Sequence, residues 1–183
     1  MALSHDDLWP RAGSWPAFAA GDDADAVLLG VPTWRTSLSP TGAHATPAAI
    51  REALTRYSAA LMGPPVVDLT EALRVLDAGD VAEPDGEDGI AATVARVREL
   101  ADATRLVIAL GGDNALTYPV ARGARATGLI TIDAHFDLRD GISNGSPVRR
   151  LIEDAPEGER IDPTRIVQIL SLIHISEPTR LRR

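Results

Sequence analysis

Cysteine is absent from the 183-residue sequence, which excludes a disulfide framework and any metal site built from thiolates. Lysine is absent as well, so all 18 basic residues are arginines, a compositional habit that carries no chemistry of its own. No apolar run is long enough to span a bilayer, and the first residues lack the basic and apolar segments of a secretion signal. We therefore expect a cytoplasmic protein.

The 26 acidic residues outnumber the 18 basic ones, and the formal net charge is −8. Nucleic acids and anionic membranes both require a basic face on their partner, so we expect neither as a partner here. An acidic chain is compatible with a cleft that binds cations but does not demonstrate one. With 45% hydrophobic residues, the length suits one soluble globular domain with a sizeable core.

The most informative stretch is residues 128–147, GLITIDAHFDLRDGISNGSP, in which a short apolar run ends in polar residues that can bind metals. Leu129–Ile132 is too short for a helix and is aliphatic or β-branched, which predicts a buried strand of a parallel sheet. Alternate residues of an extended chain face the same side, so Asp133, His135 and Asp137 are predicted to converge at the end of this strand. Two carboxylates and an imidazole suit Mn²⁺ or another borderline-hard divalent ion.

A simpler interpretation is a capped strand end beside a histidine that packs in the core. For Asp133 and His135 taken as a pair, that interpretation is the better one. Three ligand-type residues in alternation, at the edge of a sheet where open α/β folds place their ligands, favour the metal site instead.

A second motif, RLVIALGGDN at residues 105–114, ends another short apolar run in two glycines and an acidic residue. Glycines at such a place allow a sharp turn or a close approach of the backbone to a ligand. Together with Asp-Ala-His-Phe-Asp one strand-helix-strand unit later, Gly-Gly-Asp resembles the ureohydrolase superfamily, which contains arginase, agmatinase and formimidoylglutamase. The resemblance covers about residues 25–170. It implies a three-layer αβα fold with a doubly wound parallel sheet and a two-manganese site, where a metal-bridging hydroxide attacks an amidine or guanidine carbon.

The rest of the chain alternates between predicted strands and helices, which also indicates a doubly wound α/β sheet with right-handed crossovers. Strands are predicted at residues 26–31, 66–69, 74–81, 105–110 and 165–170. Helices are predicted at 90–101, 114–125 and 148–154, and from an N-cap at Thr46 through Ile50, Leu54, Tyr57 and Leu61. By the resemblance, Arg51 matches a helix arginine with an expected structural role, while Asp77 and Asp80 are expected in a turn rather than as metal ligands.

The resemblance also assigns the metal-binding residues. Asp133 resembles the carboxylate that bridges both metals, His135 a ligand of one metal and Asp137 a ligand of the other. Asn114 stands where most members have a histidine ligand, and its amide oxygen predicts weaker binding at that position. Asp113 resembles an acid behind the metal that orients ligands or loop amides.

Two further residues bear on the substrate and on catalysis. Arginases carry a small polar residue at the position of Arg139, whereas Asp-Ala-His-Phe-Asp-Leu-Arg resembles the formimidoylglutamase branch. The guanidinium of Arg139 is predicted to clamp a substrate carboxylate, with a surface ion pair as the alternative. Asn144 stands where arginases have a histidine thought to shuttle protons, and because Asn144 cannot titrate, it favours a substrate other than arginine.

The predicted function is manganese-dependent hydrolysis of a C–N bond in a small linear amidine, N-formimidoyl-L-glutamate, to glutamate and formamide in histidine breakdown. Agmatinase or guanidinase activity is the alternative within the superfamily. A metallophosphoesterase is a rival class, but its Asp-x-His block comes first in the chain, whereas here it follows Gly-Gly-Asp. We expect the intact protein to be a homo-oligomer.

Residues 171–183, SLIHISEPTRLRR, do not continue any pattern and resemble translated sequencing-adapter read-through. We therefore predict that residues 1–170 are the N-terminal part of one truncated domain and that the last residues, with His174, are a foreign tail. The Asp-x-Asp pair that the resemblance implies on a later strand is absent. The non-enzyme alternative is an inactive fragment that binds at most one metal weakly and is poorly stable.

Overall fold

The computed structural model describes residues 11–169, and strand β1 lies at the centre of its main sheet. In chain order the strands are β1 (Ala24–Val31), β2 (Ala60–Leu61), β3 (Val67–Asp68), β4 (Val75–Asp80), β5 (Thr104–Gly111), β6 (Leu129–Ile132) and β7 (Ile166–Ile169). The α-helices are α1 (Thr46–Leu54), α2 (Leu69–Ala72), α3 (Gly86–Ala103), α4 (Thr117–Gly123) and α5 (Pro147–Glu153). Short 3₁₀ turns lie at Ala43–Ala45, Asn114–Leu116 and Pro163–Arg165.

The main sheet is parallel and has the strand order β4-β1-β5. Its central strand is almost entirely buried, and Val27, Leu29 and Val31 are the least accessible of its side chains. Such a continuous apolar strand is typical of a parallel sheet covered on both faces. Helix α3 adds Val97 and Leu100 to the same apolar cluster, so the sheet and this long helix share one core.

Strands β6 and β7 form a second parallel sheet of their own. The predicted fold class, α/β with a parallel sheet flanked by helices, is confirmed. Within residues 11–169, however, the parallel strands form two sheets rather than one, because β6 is hydrogen-bonded to β7 and not to β5.

The prediction that Leu129–Ile132 is a buried strand is wrong for one of its faces. Leu129 packs on a cluster that includes Leu151 of α5 and Ile161, whereas Ile130 and Ile132 on the opposite face are 72% and 83% exposed. The described chain covers only one face of this sheet, and the apolar pattern of β6 does not reveal that difference.

The helix predicted to run through Leu61 is wrong beyond Leu54, where α1 ends. Tyr57 is 64% exposed, and its carbonyl accepts a hydrogen bond of 2.9 Å from Ala12 N, so pairing with the amino-terminal segment replaces the helix. Leu61 lies in β2, which pairs antiparallel with β3.

Three other predicted boundaries shift. The strand predicted at 66–69 is the shorter β3, which pairs antiparallel with β2 and ends at Asp68, because Asp68 accepts a hydrogen bond of 2.8 Å from Thr70 N and caps α2. Thr46 is the first residue of α1 rather than its cap, while Pro47 occupies the first turn as expected. The predicted helix at 114–125 begins as a 3₁₀ turn and becomes α4 at Thr117.

Arg51 connects α1 to the end of β4 by ion pairs. Its Nε lies 2.7 Å from Asp77 Oδ2, and its Nη1 lies 2.6 Å from Asp80 Oδ1. Burial alone raises the pKa of Asp77, but the hydrogen bonds from Arg51 and from Gly79 N outweigh it and hold this pKa below its usual value. These contacts confirm the structural role expected for Arg51, although Asp77 and Asp80 belong to the end of the strand rather than to a turn after it.

Among the helices within residues 11–169, none is both long enough and apolar enough to cross a bilayer.

Candidate active site

A cleft of about 530 Å³ opens beyond the carboxyl end of β6 and contains most of the residues predicted for the site. Backbone pairing positions its edge, because Asp133 N donates a hydrogen bond of 3.0 Å to Ile169 O, one residue beyond the ladder of β6 and β7. The residues that line the cleft are Leu38, Asn114, Asp133, His135, Phe136, Asp137, Leu138, Arg139, Asn144 and Gly145.

The Gly-Gly-Asp turn after β5 is held against the loop that follows β1. Gly112 N donates a hydrogen bond of 3.0 Å to Val31 O, and Asp113 N donates one of 2.8 Å to Thr33 O. A Cβ atom at Gly112 would lie 2.0 Å from Thr33 O, so only glycine fits this close approach of two backbones. The motif therefore positions the start of the next segment, Asn114, at the cleft.

Asp113 lies behind the cleft and does not line it. Its Oδ1 accepts a hydrogen bond of 3.1 Å from Ala115 N, and its Oδ2 accepts one from Ser37 Oγ. Thr33 Oγ1 also donates to its backbone carbonyl, at 3.0 Å. The carboxylate thus orients a loop amide and joins two loops, while its role behind a metal stays a prediction.

Asn114 and Asp137 form a hydrogen-bonded pair inside the cleft. Asn114 Nδ2 donates to Asp137 Oδ2 at 2.7 Å, and Thr117 Oγ1 donates to Asn114 Oδ1 at 2.7 Å. Asp137 is 8% exposed and has a left-handed backbone with φ of +54°. This conformation is uncommon for a residue with a side chain and is often found at functional sites.

Two causes raise the pKa of Asp137 above its usual value: burial first, and then the negative charge of Asp133. The hydrogen bond from Asn114 and the nearby His135 act in the opposite direction but do not cancel them. The fold therefore holds a carboxylate where its negative charge is unfavourable, and a cation bound in the cleft would remove that penalty.

Asp133 and His135 form the second pair in the cleft. His135 N donates a hydrogen bond of 2.8 Å to Asp133 Oδ1, and His135 Nδ1 lies 3.2 Å from the same oxygen. The imidazole is mostly exposed, in contrast to Asp137. Both a backbone and a ring nitrogen of His135 thus contact the Asp133 carboxylate.

Asp133, His135 and Asp137 line one cleft, but the strand alternation expected to bring them there is not present. Strand β6 ends at Ile132 and the chain then bends, so these residues reach the same cleft by a turn and a left-handed residue. Over the described range 11–169, no group of three Asp, Glu or His side chains is arranged to hold an ion. The donor types nevertheless fit Mn²⁺, because two carboxylates and an imidazole line one cleft and the buried carboxylate favours a positive partner.

Arg139 and Asn144 also line the cleft. Asn144 Oδ1 accepts a hydrogen bond of 3.3 Å from Leu38 N, and Asn144 N donates one of 3.3 Å to Thr36 O. Arg139 N donates a hydrogen bond of 3.0 Å to Gly145 O, while its side chain is exposed. In the described part of the chain, no carboxylate forms an ion pair with the guanidinium of Arg139, so the surface ion pair considered as its alternative role is not formed there.

Several residues of the site are not apparent from the motifs. Ser37 and Thr33 hold Asp113, Thr117 orients Asn114, and Gln168 Nε2 donates a hydrogen bond of 2.9 Å to Phe136 O. The signal that could have indicated the first two is the unusually long loop after β1, which is rich in Ser and Thr.

The comparisons with known proteins agree with this architecture. The model of the arginase family matches residues 24–170. Formimidoylglutamase from Halobacterium salinarum is 36% identical over 151 residues, which cover 75% of this chain and 47% of that protein. Agmatinase from Pyrococcus horikoshii is 36% identical over 121 residues, which cover 64% of this chain and 42% of that protein.

Solved structures of two similar proteins share the fold of this chain. The crystal structure of formimidoylglutamase from Bacillus subtilis superposes with a TM-score of 0.76 at 26% identity, over 91% of this chain and 54% of that one. A manganese-containing variant of Trypanosoma cruzi formiminoglutamase, in which an asparagine is replaced by histidine, superposes with a TM-score of 0.74 at 26% identity, over 88% of this chain and 57% of that one.

The α/β fold and the match over residues 24–170 show that the chain belongs to the arginase family. It spans about half the length of the curated relatives that it matches. Formimidoylglutamases and agmatinases match it at the same level of identity, so the comparisons establish the family and leave the substrate open.

Proposed function

We propose that the cleft is part of the active site of a manganese-dependent formimidoylglutamase, which hydrolyses N-formimidoyl-L-glutamate to glutamate and formamide. The observation that carries the proposal is that Asn114, Asp133, His135, Asp137 and Arg139 line a single cleft. The alternative within the family is an agmatinase or guanidinase, whose substrates lack the carboxylates of glutamate.

Asp133, His135 and Asp137 are the residues that would hold manganese, with Asn114 beside them. When bound, the metal polarises the substrate and lowers the pKa of its water. The buried Asp137 carboxylate contributes negative charge that the fold itself does not neutralise, and its bond to Asn114 fixes its direction. The similarity to a manganese-containing formiminoglutamase whose natural asparagine was changed to histidine supports a role for an asparagine here.

Arg139 supports the assignment of substrate. Its exposed guanidinium lines the cleft and forms no ion pair in the described chain, so it is available to bind a carboxylate in a bidentate manner. Leu38, Phe136 and Leu138 give the same cleft an apolar wall for methylene groups. Asn144 contributes a polar group that cannot titrate, so any proton transfer there has to use water or substrate.

The metal part of the proposal is tested by measuring Mn²⁺ binding to the 183-residue chain by electron paramagnetic resonance. Because the described residues contain no group of three acidic or imidazole side chains in a metal-binding arrangement, we expect at most one weakly bound ion and no turnover. Asp133→Asn should abolish that binding, whereas Asp102→Asn, on the exposed end of α3, should leave it unchanged. Two bound ions with hydrolysis would show that the site is complete in this chain; the absence of Mn²⁺ binding would refute the metal site.

The substrate part is tested by comparing N-formimidoyl-L-glutamate with N-propylformamidine, the analogue that lacks both carboxylates. Arg139→Ala should weaken binding of the first by about 2 to 3 kcal/mol, as for loss of a charge-assisted pair, and affect the second far less. Arg105→Ala is the control, because its mostly exposed side chain lies near the start of β5. Equal losses for both compounds would exclude the clamp and favour the agmatinase alternative.

A further inference from the structure

A second cavity, of about 340 Å³, lies between the loop after β1, the first turns of α3 and α4, and helix α5. It shares no lining residue with the candidate active site. Ile90, Pro119 and Ile142 form apolar parts of its wall, and Arg150 and Thr36 contribute polar ones. Its volume lies within the range of small-molecule sites, which have mostly apolar walls and a few polar groups.

Arg150 is the unusual residue of this cavity. It is 8% exposed, and its guanidinium lies 3.8 Å from the centre of the Tyr118 ring. Its Nε is buried without a hydrogen-bond partner, and no carboxylate of the described residues pairs with it. The adjacent Arg149, by contrast, contacts Asp140, Glu153 and Asp154.

A buried guanidinium without a counter-ion is unfavourable, because burial removes the water that solvates its charge. The stacking on Tyr118 offsets part of this cost but supplies no hydrogen-bond acceptor. Arg150 therefore retains unused donors at a cavity, and a ligand with a negatively charged acceptor matches them.

Thr36 provides a second, independent observation at the same cavity. Its Oγ1 is buried and has no hydrogen-bond partner among residues 11–169. Buried hydroxyl groups are nearly always hydrogen-bonded, so an unpaired one beside a cavity indicates a site for a polar ligand atom. The two residues that carry these unpaired atoms, Thr36 and Arg150, thus line the same cavity.

The acidic residues at the cavity do not satisfy Arg150. Both carboxylate oxygens of Asp85 accept hydrogen bonds from backbone amides, those of Trp34 and Arg35. Glu87 is exposed and makes no ion pair within the described part of the chain. Positive charge therefore remains unpaired at Arg150, and negative charge lies at the rim.

We propose that this cavity binds a small carboxylate with an apolar body. The carboxylate accepts hydrogen bonds from Arg150 and Thr36, and the apolar body packs on Ile90, Pro119 and Ile142. Inorganic phosphate would leave these apolar walls uncovered. A monocarboxylate and an aliphatic amino acid share this chemistry, and the amino acid adds an ammonium group that Glu87 can attract.

The test is isothermal titration of the 183-residue chain in EDTA, so that the outcome does not depend on the metal site or on turnover. The probes are 4-methylpentanoate, its neutral isostere 4-methylpentanamide, and leucine. We expect the carboxylate to bind at least tenfold more tightly than the amide. Tighter binding of leucine than of 4-methylpentanoate identifies an amino-acid site, and weaker binding identifies a monocarboxylate site.

Two variants locate the binding site. Arg150→Gln should weaken the binding of 4-methylpentanoate at least tenfold and leave the binding of the amide unchanged. Thr36→Val should weaken the binding of 4-methylpentanoate several-fold. Arg96→Gln is the control, because Arg96 pairs with Glu99 elsewhere on α3. If circular dichroism shows that Arg150→Gln does not fold, two other measurements test the proposal. They are the affinity of the acid relative to the amide, and the affinity of the Thr36→Val variant for the acid. Equal affinity for acid and amide, no binding of the acid at millimolar concentration, or unchanged affinity in a folded variant would overturn the proposal.

Discussion

The two parallel sheets are built from similar apolar strands but differ in what covers them. In β1 the side chains of Val27, Leu29 and Val31 are essentially inaccessible, since helices and strands surround them. In β6 the side chains of Ile130 and Ile132 are among the most exposed apolar groups of the described chain. The same residue types therefore give a strongly stabilised core in one sheet and an open apolar face in the other.

This difference shows that β-branched composition predicts a strand without predicting its burial. Stabilisation by an apolar side chain depends on the area that it removes from water, so Ile132 contributes little where it is and Leu29 contributes much. An open apolar face also favours association with other molecules. The β6 and β7 pair is thus the part of the fold most exposed to aggregation, in keeping with the poor stability expected from the sequence.

The largest effect should come from truncation in the main sheet. Leu29→Ala removes a fully buried side chain and should lower the free energy of unfolding by about 3 kcal/mol. Ile132→Ala, its counterpart in the second sheet, should change it by no more than about 0.5 kcal/mol. Urea unfolding followed by circular dichroism measures both. Similar losses in the two variants would contradict the difference in burial between the sheets.

An intermediate effect should come from the ion pairs at the end of β4. Arg51→Met leaves the half-buried Asp77 without its cation and should cost about 2 kcal/mol at neutral pH. Because the folded state lowers the pKa of Asp77, this stabilisation is present above the usual value of 3.8 and is lost as the pH falls through the folded value. The difference between wild type and variant should therefore shrink in acid.

The control for that experiment is Arg125→Met. Arg125 pairs with Asp102 at 2.7 Å, but both side chains are more than half exposed, so water screens the interaction. Thermal unfolding should show little change for this variant. An effect as large as that of Arg51→Met would mean that burial does not distinguish the two pairs.

The smallest effect concerns Asp137, next to the open sheet. Because the folded state raises the pKa of Asp137, its ionised form opposes folding, and this penalty grows as the pH rises above the usual value of 3.8. Asp137→Asn should therefore be slightly more stable than wild type at neutral pH and equally stable below that value, while losing affinity for Mn²⁺. Asp140→Asn, whose side chain is 97% exposed, serves as the control. Lower stability of Asp137→Asn at neutral pH would contradict the burial penalty.

The elements that local pattern predicts well are those with a continuous apolar run or with apolar residues at regular helical spacing. The prediction was accurate for β1 and β5 because both are continuous apolar strands, and for α3 because its apolar residues recur at helical spacing. It was wrong for the end of α1, because the contact of Ala12 with Tyr57 is distant in sequence. It was also wrong for the backbone at Asp137, which was predicted to be extended. A single residue with a left-handed backbone produces no periodic pattern in the sequence from which it could be predicted.

The sequence by itself determined the chemistry that is available. It contains no thiolate ligand, places Gly112 where two backbones meet, and orders Asn114, Asp133, His135, Asp137 and Arg139 along two motifs. Only the tertiary structure decided which of these groups meet and how deeply each is buried. Burial and pairing depend on contacts between segments far apart in the chain, such as Asn114 with Asp137 or Arg150 with Tyr118. Such contacts set the pKa of the Asp137 carboxylate and leave the Arg150 guanidinium without a counter-ion.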